Sequence, residues 1–204
     1  MKVKVCGITS YEDAVLALDQ GVDALGFNFY RPSPRYIDPA KAHEIIRRLP
    51  PFWVSVGLFV NAAIEDLLEA SRVAGVQALQ LHGDETPEYC RNISGWPLLK
   101  AIRIGDDPIR VDWQEYPVQA FVLDVKDDSL FGGTGKSFNW RLAQGIGPPV
   151  VLAGGLRPDN VREAILTVKP YGVDVCSGVE SSPGRKDRGL LAQFMNEVRN
   201  VGRI

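Results

Sequence analysis

Lys2-Val3-Lys4-Val5-Cys6-Gly7-Ile8-Thr9 is the stretch from which the architecture can be read. Val3 and Val5 alternate with Lys2, Lys4 and Cys6, so the valines share one face of a strand and the other three share the opposite face. The turn Gly7-Ile8-Thr9-Ser10 then feeds a helical pattern carrying Ala14, Leu16, Ala17 and Leu18. A strand that ends on a thiol and turns on glycine into a helix is the start of a βα unit. Such proteins place their chemistry at the carboxyl ends of strands. Taken alone, Cys6 has two readings: a small buried hydrophobe, as most free cysteines are, or a reactive group at a site.

The same unit recurs along the chain. Ala24 to Phe29, Trp53 to Phe59, Val76 to Leu81, Pro97 to Ile104, Ala120 to Leu123, Val150 to Leu152 and Gly172 to Val175 read as strands two to eight. Helical patterns stand between them: Tyr11 to Gln20, one opened by Asp38-Pro39, one capped by Asn61, one started by Thr86-Pro87, and Asp187 to Arg199 at the end. Eight units of about 25 residues predict one compact (β/α)8 barrel spanning residues 1–204. A doubly wound open sheet is the rival, but it usually has fewer strands, and no G-x-G-x-x-G follows the first strand.

Bulk properties narrow the function. A formal net charge of −2 offers no basic footprint for nucleic acid. No apolar run approaches the ~20 residues of a membrane span. The amino terminus carries no positive region followed by an apolar one, so it does not read as a signal peptide. Three cysteines, Cys6, Cys90 and Cys176, are too few and too scattered for a disulfide scaffold or a zinc site. The expectation is a cytoplasmic protein, monomer or homodimer, acting on a small molecule.

The expected strand ends carry Cys6, Asn28, His82, Arg103, Asp124, Gly154-Gly155 and Asp174-Val175-Cys176-Ser177. Parallel strands are buried on both faces, so Asp124 and Asp174 need a reason to be there. The first and eighth strands of a closed barrel are neighbours, which lets Lys4 and Asp174 pair, either structurally or to tune the Cys6 thiol. Ala153-Gly154-Gly155-Leu156 and Ser177-Gly178-Val179-Glu180 follow strands seven and eight, the recurring phosphate position of this fold. Gly135-Lys136-Ser137 imitates the end of a P-loop, but the glycine required five positions earlier is Leu130. The loop Lys126 to Ser137 reads instead as a glycine-rich cover over the site.

Lys4-Val5-Cys6-Gly7-Ile8-Thr9, Arg31-Pro32-Ser33-Pro34-Arg35-Tyr36-Ile37, Gln80-Leu81-His82-Gly83-Asp84-Glu85, Phe131-Gly132-Gly133-Thr134-Gly135, Ala153-Gly154-Gly155-Leu156 and Ser177-Gly178-Val179-Glu180 together resemble the phosphoribosylanthranilate isomerase family along the whole chain. The resemblance implies a (β/α)8 barrel with neither cofactor nor metal, working in tryptophan biosynthesis. The reaction it implies is an Amadori rearrangement, from N-(5-phosphoribosyl)anthranilate to 1-(2-carboxyphenylamino)-1-deoxyribulose 5-phosphate. It implies Asp124 as general acid on the ribose ring oxygen and Cys6 as general base on the sugar's second carbon. The chemistry agrees: a carboxyl donates near neutral pH when burial raises its pKa, and a thiol accepts when its pKa is lowered. Lys4 is the candidate for lowering it. Arg35 resembles the family's clamp on the anthranilate carboxylate, a planar fork for a planar anion, whereas Arg31 reads as solvated. His82 reads either as a participant at the site or as a hydrogen-bonded strand-end histidine; Asp174, Gly154, Gly155, Ser177 and Gly178 complete the expected substrate contacts. His43 reads as surface and Cys90 as core. One departure from the family pattern is Cys176, where a small hydroxylic residue is usual; it sets a second thiol beside Cys6, and oxidation joining the two would silence the enzyme. The rival functions are a histidine-pathway type of sugar-phosphate isomerase and a catalytically silent phosphate-binding barrel.

Overall fold

The computed structural model describes residues 1–105, 109, 111–125 and 139–201. Eight parallel strands close into a barrel in sequence order: β1 (Lys2–Val5), β2 (Ala24–Asn28), β3 (Val54–Phe59), β4 (Ala78–Leu81), β5 (Leu98–Ile104), β6 (Ala120–Val125), β7 (Val150–Leu152) and β8 (Gly172–Val175). Around them lie α1 (Tyr11–Asp19), α2 (Pro39–Ile46), α3 (Ile64–Ala74), α4 (Pro87–Arg91), α5 (Val161–Val168) and α6 (Arg188–Asn200). Between β8 and α6 stands a small hairpin of β9 (Glu180–Ser182) and β10 (Arg185–Lys186).

The strands sort their side chains by parity. Val3, Val5, Leu25, Phe27, Leu79, Leu81, Phe121, Leu123, Leu152, Val173 and Val175 belong to the main core, which includes Leu16, Leu67, Ile165, Leu191 and Phe194 of the helices. Phe27, Phe121 and Phe194 are fully buried, each contributing roughly 1.5–3 kcal/mol by its removal from water. Alternate positions form the inner set, and several are polar: Lys4, Asn28, Gln80, Asp124 and Asp174 are all buried. The register pairs Lys4 with Asp174 across the β1–β8 seam, which the neighbouring first and last strands make possible.

Four local readings change. After β5 and β6 the described chain holds short 3-10 turns, Trp113–Glu115 and Trp140–Ala143, in place of full helices. Asn61 does not cap α3, whose N-cap is Ala63. Asn61 has a left-handed backbone (φ 48) and its Oδ1 accepts from the Asp84 N–H at 2.7 Å, which spends the side chain on the neighbouring loop. The β9–β10 hairpin is a feature that strand-length patterns do not reveal. Asp124 lies inside β6, one residue before its end. The proposed cover, Lys126 to Ser137, lies outside the described residues.

Candidate active site

At the carboxyl ends of the strands is a cup whose lining includes Cys6, Arg35, His82, Asp124, Asp174 and Cys176. Each reaches it for a local reason. Cys6 follows β1 on the same face as Lys4, and Gly26 on β2 makes the room. A Cβ at Gly26 would lie 2.7 Å from Cys6 Sγ and 3.0 Å from Lys4 Nζ. Arg35 is delivered by a pinned loop: Asn28 Oδ1 accepts from Tyr30 N–H, Asn28 Nδ2 donates to Ser33 Oγ, and Ser33 Oγ accepts from Arg35 N–H. The chain on either side of His82 is held by Glu85 and Lys100. Glu85 accepts the Gly83 and Asn61 N–H groups, and the buried Lys100 Nζ donates to Leu81 O, Gly83 O, Ala101 O and Glu85 Oε2. The His82-Gly83-Asp84-Glu85 segment is therefore fixed largely through its own backbone, by Glu85 and Lys100.

The ionisable groups form two linked sets. On one side, Lys4 Nζ donates to Asp174 Oδ2 at 2.8 Å with both side chains buried. Burial opposes the Lys4 charge, but Asp174 and Cys6 outweigh it and raise the ammonium pKa. For Asp174 burial dominates; with the nearby Cys6 and Asp124 charges it lifts the carboxyl to about 7 despite Lys4. One cation is shared between two anions, and Asp174 takes the smaller share. Its Oδ1 is buried with no hydrogen-bond partner among the described residues. Cys6 is drawn well below the usual thiol range by the hydrogen bond from Cys176, aided by Lys4 and Lys186 and opposed by burial. Cys176 moves the opposite way, raised by the same hydrogen bond and by burial.

On the other side, Asp124 is buried, its Oδ1 accepting from Val125 N–H at 2.8 Å and its Oδ2 lying 3.0 Å from His82 Nε2. His82 Nδ1 lies 2.8 Å from Gln80 Nε2. With that amide nitrogen donating to Nδ1, the imidazole presents Nε2–H to the carboxylate; with the amide turned over, Nε2 becomes an acceptor for a protonated Asp124. The Gln80–His82 couple can satisfy Asp124 in either protonation state.

The glycine loops meet at the rim. Gly154 and Gly155 line the cup with positive φ (77 and 63), and a Cβ on Gly154 would lie 2.8 Å from Val125 N. Ser177 lines the cup at the start of a 3-10 turn, Ser177–Val179, whose leading N–H groups have no acceptor within the turn. Gly178 sits deeper: a Cβ there would lie 1.9 Å from Leu156 O, so its bare Cα lets the two loops touch. Arg31 is exposed over the Tyr36 ring, His43 is exposed, and Cys90 is buried in the core. Among the described residues no cluster of three or more His, Cys, Asp or Glu could hold a metal. Sequence reasoning missed Glu180, Lys186, Gly26 and Gln80. For Glu180 a signal was available, because a glutamate closing the second glycine loop has no phosphate-binding use.

A thiol and a carboxyl group on one cup, beside glycine loops after β7 and β8, mark an acid–base enzyme for phosphorylated sugars on the (β/α)8 scaffold. The family model described as N-(5'-phosphoribosyl)anthranilate isomerase matches residues 3–197. A protein of that name from Trichlorobacter lovleyi is 51% identical over 98% of this chain and 99% of its own length. A crystal structure of phosphoribosyl anthranilate isomerase with reduced 1-(o-carboxyphenylamino)-1-deoxyribulose 5-phosphate superposes with a TM-score of 0.83 at 36% identity, covering 98% of this chain and 99% of that one. A Thermotoga maritima structure, described as monomers generated from a dimeric isomerase, gives a TM-score of 0.85 at 36% identity over 98% and 99% of the two chains. The chain belongs to the N-(5'-phosphoribosyl)anthranilate isomerase family. Its reaction is the Amadori rearrangement of phosphoribosylanthranilate in tryptophan biosynthesis.

Proposed function

We propose that Asp124 and Cys6 divide the proton transfers of this rearrangement, with residues 1–204 acting as one catalytic unit. Asp124 gives its proton to the ribose ring oxygen, the bond from that oxygen to the anomeric carbon breaks, and a Schiff base forms with the anthranilate nitrogen. The Cys6 thiolate takes the proton from the sugar's second carbon, leaving an enolamine. Tautomerisation puts a proton on the first carbon and leaves a ketone at the second, with no net gain or loss of protons. His82, on Gln80, positions Asp124. The Asp174 Oδ1 suits a ribose hydroxyl, because an unpartnered buried acceptor is costly until a donor arrives. The N–H groups of Gly154, Gly155, Ser177 and Gly178 surround the phosphate. Arg35 receives the anthranilate carboxylate on the guanidinium edge that Glu180 leaves open, since Glu180 occupies Nε and Nη2 at 2.7–3.1 Å.

The observation that carries these roles is the environment of Cys6: a buried thiol between two lysines, drawn toward thiolate, on the same cup as Asp124. The test follows the loss of phosphoribosylanthranilate fluorescence with Cys6→Ala and Asp124→Asn. Each should lower turnover by on the order of a hundred- to ten-thousand-fold with an unchanged dichroism spectrum. Near-normal turnover in either removes that residue from the mechanism.

The chain also suits a homodimer. Phe52 is fully exposed, and Met1, Val54 and Tyr171 are exposed with it at the amino ends of the strands, beside a depression lined by Val3, Val56, Leu99 and Val151. The dimeric Thermotoga relative supports this assembly. Phe52→Asp should halve the mass read by light scattering; a monomeric parent protein would refute it. No helix among the described residues is long and apolar enough to cross a membrane, and three free cysteines fit a reducing cytoplasm.

A further inference from the structure

The hairpin after β8 carries an ion chain that the scheme above does not use. The Lys186 side chain is completely buried, and its Nζ donates to Cys6 O at 2.6 Å, to Glu180 Oε1 at 2.8 Å and to Cys176 O at 3.5 Å. Its own N–H donates to Asp13 Oδ2 at 3.0 Å, which anchors the hairpin to α1. The far oxygen of Glu180, Oε2, accepts from Arg35 Nη2 at 2.7 Å. A continuous path therefore runs from Arg35 through Glu180 and Lys186 to the residue that bears the base.

A buried ammonium costs several kcal/mol unless it is well partnered, and a strand-end carbonyl could be satisfied by something cheaper than a charge. The charge count gives the reason. Around Cys6 stand Lys4 on β1, Asp174 on β8 and Cys176 just after it, Arg35 on the loop after β2, and Glu180 and Lys186 on the hairpin, with Asp124 on β6 at the same cup. Lys4, Arg35 and Lys186 contribute three positive charges; Glu180 and, above about pH 7, Asp174 contribute two negative ones. One positive charge is left over when Asp124 is the protonated acid, and a thiolate at Cys6 balances it. An anion arriving on Arg35 cancels that surplus, so the sulfur is held less firmly as thiolate and becomes a stronger base when substrate is in place.

We propose that Lys186 is a positioning residue for the Cys6 sulfur, and that Glu180 couples it to Arg35, so that a substrate carboxylate docking at Arg35 is felt at the base as a loss of positive charge. The inference rests on the roles assigned above to Cys6 and Arg35 and adds the group that connects them.

The test measures alkylation of Cys6 by iodoacetamide against pH in the ligand-free protein, read by mass spectrometry of the Cys6 peptide. Lys186→Met should move the midpoint to higher pH and slow alkylation at pH 7 about tenfold, one pH unit being a factor of ten. Lys186→Arg, which keeps the charge, should restore the parent midpoint. Glu180→Gln removes an anion and should move the midpoint to lower pH. A purely structural role for the hairpin would not move these two variants in opposite directions. In the parent enzyme, the acid limb of kcat should lie at higher pH than that of kcat/KM, because the first reports the substrate complex. The proposal is overturned if the Lys186→Met and parent midpoints coincide, if Glu180→Gln moves upward or not at all, or if the two kinetic limbs superimpose. Should Lys186→Met fail to fold, the Glu180→Gln midpoint decides. Full turnover in Cys6→Ala would sink the assignment of the base while leaving the alkylation result standing, so the two failures are distinguishable.

Discussion

Gly26→Ala isolates the geometry of the base without replacing a reacting group. The added methyl would sit 2.7 Å from Cys6 Sγ and 3.0 Å from Lys4 Nζ. Ordinary non-bonded contact lies near 3.5–4.0 Å, so the sulfur must yield by about 1 Å. The Cys6 backbone cannot absorb the shift cheaply, because its N–H is hydrogen-bonded to Val175 O at 2.9 Å and its carbonyl is held by Lys186. A displacement of about 1 Å at a reacting group costs on the order of a hundredfold in rate, or about 2.7 kcal/mol of barrier. Overpacking should also lower stability by about 1–3 kcal/mol. Steady-state fluorescence of phosphoribosylanthranilate gives kcat, and a urea titration gives the stability. Substrate binding should change little, since Gly26 is not among the residues lining the cup. A kcat within threefold of the parent would refute the claim that β2 carries glycine here to seat the thiol.

Arg35→Ala should mainly weaken substrate binding, by roughly 2–5 kcal/mol read chiefly in KM, and an unchanged KM would remove the clamp. Asp174→Asn carries a pH signature. The folded carboxyl titrates at about 7 against an ordinary value of 3.8, so unfolding releases a proton between those values and rising pH favours the unfolded chain. The stabilising contribution of the protonated carboxyl is present below about pH 4 and gone by about pH 7; Asp174→Asn should gain stability relative to the parent across that window, and a flat difference in urea midpoints would refute it. Hydrogen peroxide should silence the enzyme reversibly. The Cys6 thiolate is oxidised to a sulfenic acid as the peroxide bond breaks, then the Cys176 sulfur displaces water to form a disulfide. Val5 and Val175 are paired in register one residue before the two cysteines, and strands at about 4.8 Å suit a bridge. Dithiothreitol should restore activity; unchanged activity in a fully oxidised sample would exclude the switch.

The barrel was legible because each strand is a short apolar run followed by turn chemistry, and because polar residues such as Asp124 and Asp174 stood where apolar ones were expected. Closure made a Lys4–Asp174 pair possible, since only a closed ring makes the first and last strands neighbours, and the register of the two strands realises it. What stayed hidden obeys no local period. Lys186 belongs to a two-residue strand, too short to show alternation, and Gly26 resembles any strand glycine until the neighbouring sulfur is placed. Asn61 carried a capping signal, but a nearby backbone donor, Asp84 N–H, competed for its side chain and won. Among the described residues of the fifth and sixth units, 3-10 turns stand where helices were expected, in stretches with little apolar periodicity.

The seam between β1 and β8 also has a bearing on synthesis. Cys6 leaves the ribosome well before the lysine on its carbonyl, which follows 180 positions later. A nascent chain stalled before β8 would hold the Cys6 sulfur without Asp174, Cys176 or Lys186, and so without most of the surroundings that make it reactive. Competence thus arrives late and in one step, and the emerging polypeptide carries an ordinary thiol through the period when unwanted chemistry would do most harm.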